Sequence, residues 1–166
     1  LLSESGFSAL PQNIQKVLRR IESMPGDPAP AMLRREGFND IRPEAYQKGR
    51  GVYTNKETPG IVYKIGVDHN AWQNNIEKTI WEEQEHPSFS GRISDDVLEA
   101  LAPILASHDT DGDCHWLIMP KAEMGVATQE QGISLMEKML ETDWVVTDHH
   151  RGNIGRWRGQ TLFVDY

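Results

Sequence analysis

The sequence predicts an α+β fold, and three observations carry that reading. Apolar residues recur at helical spacing in separate stretches at 13–24, 29–36, 70–85 and 128–142. Short β-rich runs such as GIVYKIG lie between them, bounded by turn signals. The order is helices, β-hairpin, helix, strands, helix, then β-loop-β, which is not the alternation of a wound βα sheet. A chain of 166 residues with 38% hydrophobic content has the size of one compact domain.

The elements follow in order. Ile14, Val17, Leu18, Ile21 and Met24 mark an amphipathic helix that Pro25-Gly26 closes. GDPAP links it to a second helical stretch, Ala29 to Glu36, ended by Gly37. These read as packing elements. IRPEAYQKGRGVYTN and GIVYKIG, joined by NKETPG, form an antiparallel hairpin because Pro-Gly marks a tight turn. In the helix from Asn70 to Glu85, Trp72, Ile76 and Ile80 define one face, with Trp81 beside it, and His86-Pro87 stops it. ISDDVLEALAPILASHD opens on a Ser/Asp cap and holds a short helix followed by a strand. CHWLIMPK is a buried strand running into a Pro bend, and TQEQGISLMEKMLET a second main helix. WVV and TLFV are short strands flanking DHHRGNIGRWRGQ.

Composition narrows the function classes. The formal charge of −8, from 25 acidic and 17 basic side chains, offers no basic surplus for a nucleic-acid backbone, so no nucleic-acid partner is expected. A single cysteine, Cys114, cannot form an intramolecular disulfide. No apolar run approaches the roughly 20 residues of a membrane helix, and the start lacks a signal-peptide pattern. The expectation is a cytoplasmic protein without a membrane partner.

Candidate chemistry begins at Lys64. Alone it fits an exposed strand position, but the preceding strand carries Gly49 and Gly51, where the backbone can approach an anion closely. Glu77 follows the apolar Ile76, at the edge of the helix face that packs on the sheet, within reach of a strand lysine. Glu82 and Glu83, a turn or more later, suit a solvated face. At the other end, Asp148, Asn153 and Asp165 combine hard oxygen donors: one Asp and one Asn are the usual protein share of a Mg²⁺ shell, and the second Asp is left to orient a hydroxyl. HDTDGD has the acidic alternation of a calcium loop but lacks its distal Glu, and reads as a polar hairpin turn. Of the five tryptophans, most fall at core positions, and Trp157 in RWRG reads as the exposed one.

Taken together, GRG, VYK, a helix Glu, WLIMPK, D-x4-N and a closing Asp resemble the protein-kinase-like fold, including its atypical and aminoglycoside-phosphotransferase-like branches. The resemblance covers about Ala45 to Tyr166. It implies a helical extension at 1–44, a small lobe of antiparallel sheet plus helix with its hinge at 45–122, and the start of a helical large lobe at 123–166, ending at the metal-binding Asp.

By the same resemblance Lys64 is the phosphate lysine and Glu77 its partner, Asp148 is the catalytic Asp, and Asn153 and Asp165 hold Mg²⁺. Gly49 and Gly51 cover the phosphates of ATP, Met119 to Lys121 and Ala122 form the hinge, and His150 contacts the transferring phosphate or is solvated. The acceptor is a hydroxyl of a protein or small molecule. Val146-Thr147 replaces the His-Arg of ordinary kinases, and the Gly-rich loop lacks a third glycine. Asp165-Tyr166 stands where DFG begins, so a cut chain, a longer encoded protein and a minimal natural form all remain open. An inactive pseudokinase that binds a nucleotide or a protein is the alternative to an enzyme.

Overall fold

A computed structural model describes residues 3–41, 50–67, 70–84, 92–140 and 151–165. The fold is α+β, with antiparallel sheets and several helices, and it divides into two compact units: residues 1–78 with 104–120, and residues 79–103 with 121–166. Among the described residues, no helix is long and apolar enough to cross a membrane.

The first unit is a five-stranded antiparallel sheet faced by helices. Helices α1 (Ser3–Ser8), α2 (Gln12–Glu22) and α3 (Pro30–Arg35) precede strand β1 (Phe38–Asp40). Strands β2 (Gly51–Asn55) and β3 (Ile61–Ile65) form the hairpin, helix α4 (Trp72–Glu83) follows, and β4 (Ala106–Ser107) and β5 (Trp116–Pro120) complete the sheet in the order β1-β2-β3-β5-β4. Residues 108–115, with the HDTDGD stretch, connect the antiparallel neighbours β4 and β5.

Sequence spacing explains the core. Ile14, Val17, Leu18 and Ile21 fall on one face of α2 and are buried. They pack with Met32 and Leu33 of α3 and with Phe38, Tyr53, Tyr63, Ile65, Trp116 and Ile118 of the sheet. Phe38 meets Tyr63 edge-on at 5.1 Å, and Phe7 stacks on Trp116 at 5.4 Å. The helices before the sheet therefore share one core with it. Pro30 opens α3, and Gly37, at φ 84°, ends it in the left-handed region that glycine adopts without strain.

Strand alternation sends the other residues to the opposite sheet face. Cross-strand partners share a face, so the pairings Val52↔Lys64, Lys64↔Leu117 and Val62↔Met119 set Lys64, Leu117 and Met119 together, on the face opposite the one that packs on α2 and α3. Lys64 is nonetheless only 3% exposed.

In the second unit, helix α5 (Asp95–Leu98) is capped by Ser94, whose Oγ accepts from Val97 N–H, with Asp95 and Asp96 favourably placed in its first turn. Helix α6 (Gln129–Leu140) starts with a reciprocal capping box: Gln131 N–H donates to Thr128 Oγ1 at 3.1 Å, and Thr128 N–H to Gln131 Oε1 at 3.0 Å. Strands β6 (Glu123–Met124), β7 (Ile154–Trp157) and β8 (Gln160–Phe163) form a three-stranded antiparallel sheet. Arg158 and Gly159, both at positive φ, make the two-residue β7–β8 turn. WVV lies outside the described residues.

Two expectations about tryptophan need correction. Trp72 is 53% exposed, while Trp157 is half-buried with the Arg158 guanidinium 4.5 Å above its ring. The buried positions along α4 and its lead-in are Ala71, Asn74, Glu77 and Ile80, rather than the Trp72-Ile76-Ile80 stripe. The apolar pattern is misphased because polar residues occupy the inward face.

Candidate functional site

Those inward polar residues build the candidate site in the first unit. Lys64 leaves β3 on the face opposite the helical core, and α4 carries Glu77 to it. Lys64 Nζ donates to Glu77 Oε1 at 2.8 Å and to Oε2 at 2.9 Å. Glu77 is 1% exposed, so the pair is buried on both sides. Such a pair loses hydration on both charges and is stable only when hydrogen bonds satisfy the carboxylate.

Two neighbours supply them. Arg50, next to Gly51 at the start of β2, sends Nη2 to Glu77 Oε1 at 3.1 Å and Nη1 to Asn74 Oδ1 at 3.1 Å. Asn74 Nδ2 in turn donates to the backbone carbonyls of Lys64, at 3.3 Å, and Cys114, at 3.0 Å. Arg50 and Asn74 are 5% and 0% exposed. The result is two cations on one carboxylate, braced by an amide that reaches both β3 and the approach to β5.

Gly51 has a packing reason of its own. A Cβ there would lie 2.3 Å from the ring of Tyr53, so the glycine makes room for that buried phenol. Met119 is buried on the Lys64 face of the sheet, and Lys121 is exposed just past β5.

In the second unit, Asn153 ends a 3-10 turn, Arg151–Asn153, and is 2% exposed. Val164 N–H donates to Asn153 O at 2.8 Å, which brings the backbone before Asp165 to Asn153. Phe163, at the end of β8, is held from its other side by Phe163 N–H to Ala100 O and Ala102 N–H to Phe163 O, both 2.8 Å. Asp165 follows, half-exposed. An Asp and an Asn on adjoining backbone, both hard oxygen donors, fit the protein share of a Mg²⁺ shell that keeps water and phosphate ligands. Among the described residues, no group of three or more His, Cys, Asp and Glu side chains is arranged to hold a metal ion by itself.

The residues expected from sequence thus form two sets, Lys64 with Glu77 and Asn153 with Asp165. Gly49, Asp148 and His150 lie outside the described residues. Sequence reasoning missed Arg50 and Asn74. The available signal was Asn74, three residues before Glu77 and hence on the same helix face.

A separate cluster sits at the β4–β5 connection. Trp116 Nε1 donates to Glu22 Oε1 at 2.9 Å, His108 Nε2 lies 4.0 Å from Glu22 Oε2, and His115 N–H donates to His108 Nδ1 at 3.4 Å. Burial holds the His108 imidazole below its ordinary value against the pull of Glu22.

No protein-family model, no curated protein and no solved structure matches the chain.

Proposed function

We propose that the protein is an ATP- and Mg²⁺-dependent phosphotransferase of kinase-like fold, acting in the cytoplasm on a hydroxyl of a protein or small molecule. The observation that carries this reading is the buried, doubly hydrogen-bonded Lys64–Glu77 pair between a sheet strand and the following helix. An ion pair this buried is an expensive way to stabilise a fold, since apolar residues of similar volume do as well or better. A buried ion pair with specific hydrogen-bond partners is a candidate for a functional site.

In this reading Lys64, oriented by Glu77, binds phosphate oxygens of ATP. Gly49 and Gly51 line the phosphate approach, Met119 and Lys121 face the adenine, and His150 contacts the transferring phosphate. Asn153 and Asp165 hold the metal, which when bound neutralises phosphate charge. Asp148 orients the acceptor hydroxyl and accepts its proton as the oxygen attacks the γ-phosphorus and the bond to ADP breaks. Support for the metal half is the donor chemistry of Asn153 and Asp165 and the backbone bond that adjoins them.

The test is ATP turnover with a panel of hydroxyl acceptors, and with water. Lys64→Ala and Asp165→Asn are each expected to abolish it while the folded far-UV signal persists. Retained turnover in both variants would overturn the proposal. Mg-ATP binding by the unmodified chain without turnover would instead favour the pseudokinase reading.

A further inference from the structure

The helix that carries Glu77 is fastened to the sheet by far more than its ion pair. Asn74 bonds the carbonyls of Lys64 and Cys114, and Arg50 ties Asn74 and Glu77 to the start of β2. One residue on, Asn75 Oδ1 accepts from Cys114 N–H at 2.6 Å and its Nδ2 donates to Asp113 Oδ1 at 3.0 Å. A turn later, Lys78 Nζ donates to His108 O at 3.0 Å. Before the helix, Asp27 accepts from Val67 N–H at 2.9 Å and from Asn70 Nδ2.

These bonds engage backbone groups on β3, after β3 and before β5. Moving residues 74–78 away from the sheet would leave several buried donors and acceptors without partners at once, and each such group is costly to strand. Asn74 is the centre of the arrangement. At 0% exposure its amide uses both ends, and no apolar residue of its size could reproduce the links.

We propose that Arg50 and Asn74 are positioning residues that hold Glu77 on Lys64 whether or not a ligand is bound, so that the pair is permanently assembled and not switched by movement of α4. The proposal rests on the phosphotransferase reading only for the purpose of Lys64; the brace itself has a readout that needs no nucleotide. Arg50 acts through Glu77 and is assigned no contact with a phosphate.

The experiment is acylation of the ligand-free full chain with acetic anhydride, followed by mass spectrometry of the Lys64 peptide, with the exposed Lys56 as internal reference. Lys64 is expected to react on the order of 100-fold more slowly than Lys56, because labelling requires local opening. Arg50→Met and Asn74→Ala each raise Lys64 labelling on the order of 10-fold. In a Glu77→Gln background Arg50→Met adds less than it does alone, since part of its effect passes through that carboxylate and the rest through Asn74. Ile21→Val, a core control far from the cluster in sequence and environment, leaves Lys64 protected.

Labelling of Lys64 in the unmodified ligand-free chain at the rate of Lys56 would overturn the proposal, and this measurement depends on no variant folding. So would equal effects of Arg50→Met and Ile21→Val. A protected Lys64 in a chain whose melting is unmoved by Mg-ATP would keep the brace and remove the nucleotide reading, so the two failures are distinguishable.

Discussion

Both oxygens of the Glu77 carboxylate accept from Lys64, and Arg50 shares one of them. The energetic consequence is asymmetric. Glu77→Ala takes the carboxylate from two buried cations and is expected to cost about 3–5 kcal/mol. Lys64→Met preserves apolar bulk and leaves Glu77 with Arg50, so its cost is smaller. Urea unfolding of the two variants checks the order, and an equal or reversed order would contradict it.

Gly51→Ala tests the packing reason for that glycine. The new methyl would collide with the Tyr53 ring, which is 2% exposed, and overpacking of this kind costs about 1–3 kcal/mol. Thermal unfolding is expected at a lower temperature. If the position served only close approach of an anion, stability would be unchanged.

Leu18→Ala measures how fully the N-terminal helices belong to the sheet's core. Leu18 is 0% exposed among residues of both, and its truncation is expected to cost about 2–5 kcal/mol. A cost near that of an exposed helix position would separate the helices from the core energetically.

His108 predicts a pH dependence with a definite sign. Burial lowers its folded-state pKa below 6.5, with Glu22 raising it and His115 and Lys78 opposing that pull. Between the two pKa values the unfolded chain binds more protons than the folded one. The contribution to stability is therefore complete above pH 6.5 and is lost as pH falls through the folded-state value. Urea midpoints are expected to fall on acidification from neutral pH, with a shallower decline in His108→Gln. An unchanged slope in that variant would exclude His108 as the source.

Much of the fold was legible in the sequence because its signals were local. Ile14, Val17, Leu18 and Ile21 have helical period, NKETPG has turn chemistry, and ISDD has a Ser/Asp cap, each decided within a few residues. Lys64 and Glu77 were legible as candidates because each stood out against its own element. Arg50 and Asn74 were not, since an Arg between glycines reads as a solvated loop and an Asn near a helix start as an end group. Asn74's carbonyl partners, on Lys64 and Cys114, are 10 and 40 positions away, and Arg50's partners, Asn74 and Glu77, are 24 and 27 positions away, all set by tertiary packing. The same packing explains Trp72. A helix face that buries Asn74 and Glu77 hides its own phase from any hydrophobic count.

The proposed Mg-ATP site at Lys64 is tested by the melting temperature of the chain with and without Mg-ATP. At about 100 times its dissociation constant, a ligand that binds only the folded chain adds roughly 2.7 kcal/mol, a rise of about 5–10 °C for a chain of this size. That rise is expected in the unmodified chain, and its loss in Lys64→Met and on omission of Mg²⁺. No rise, or an equal rise in Lys64→Met, would contradict it.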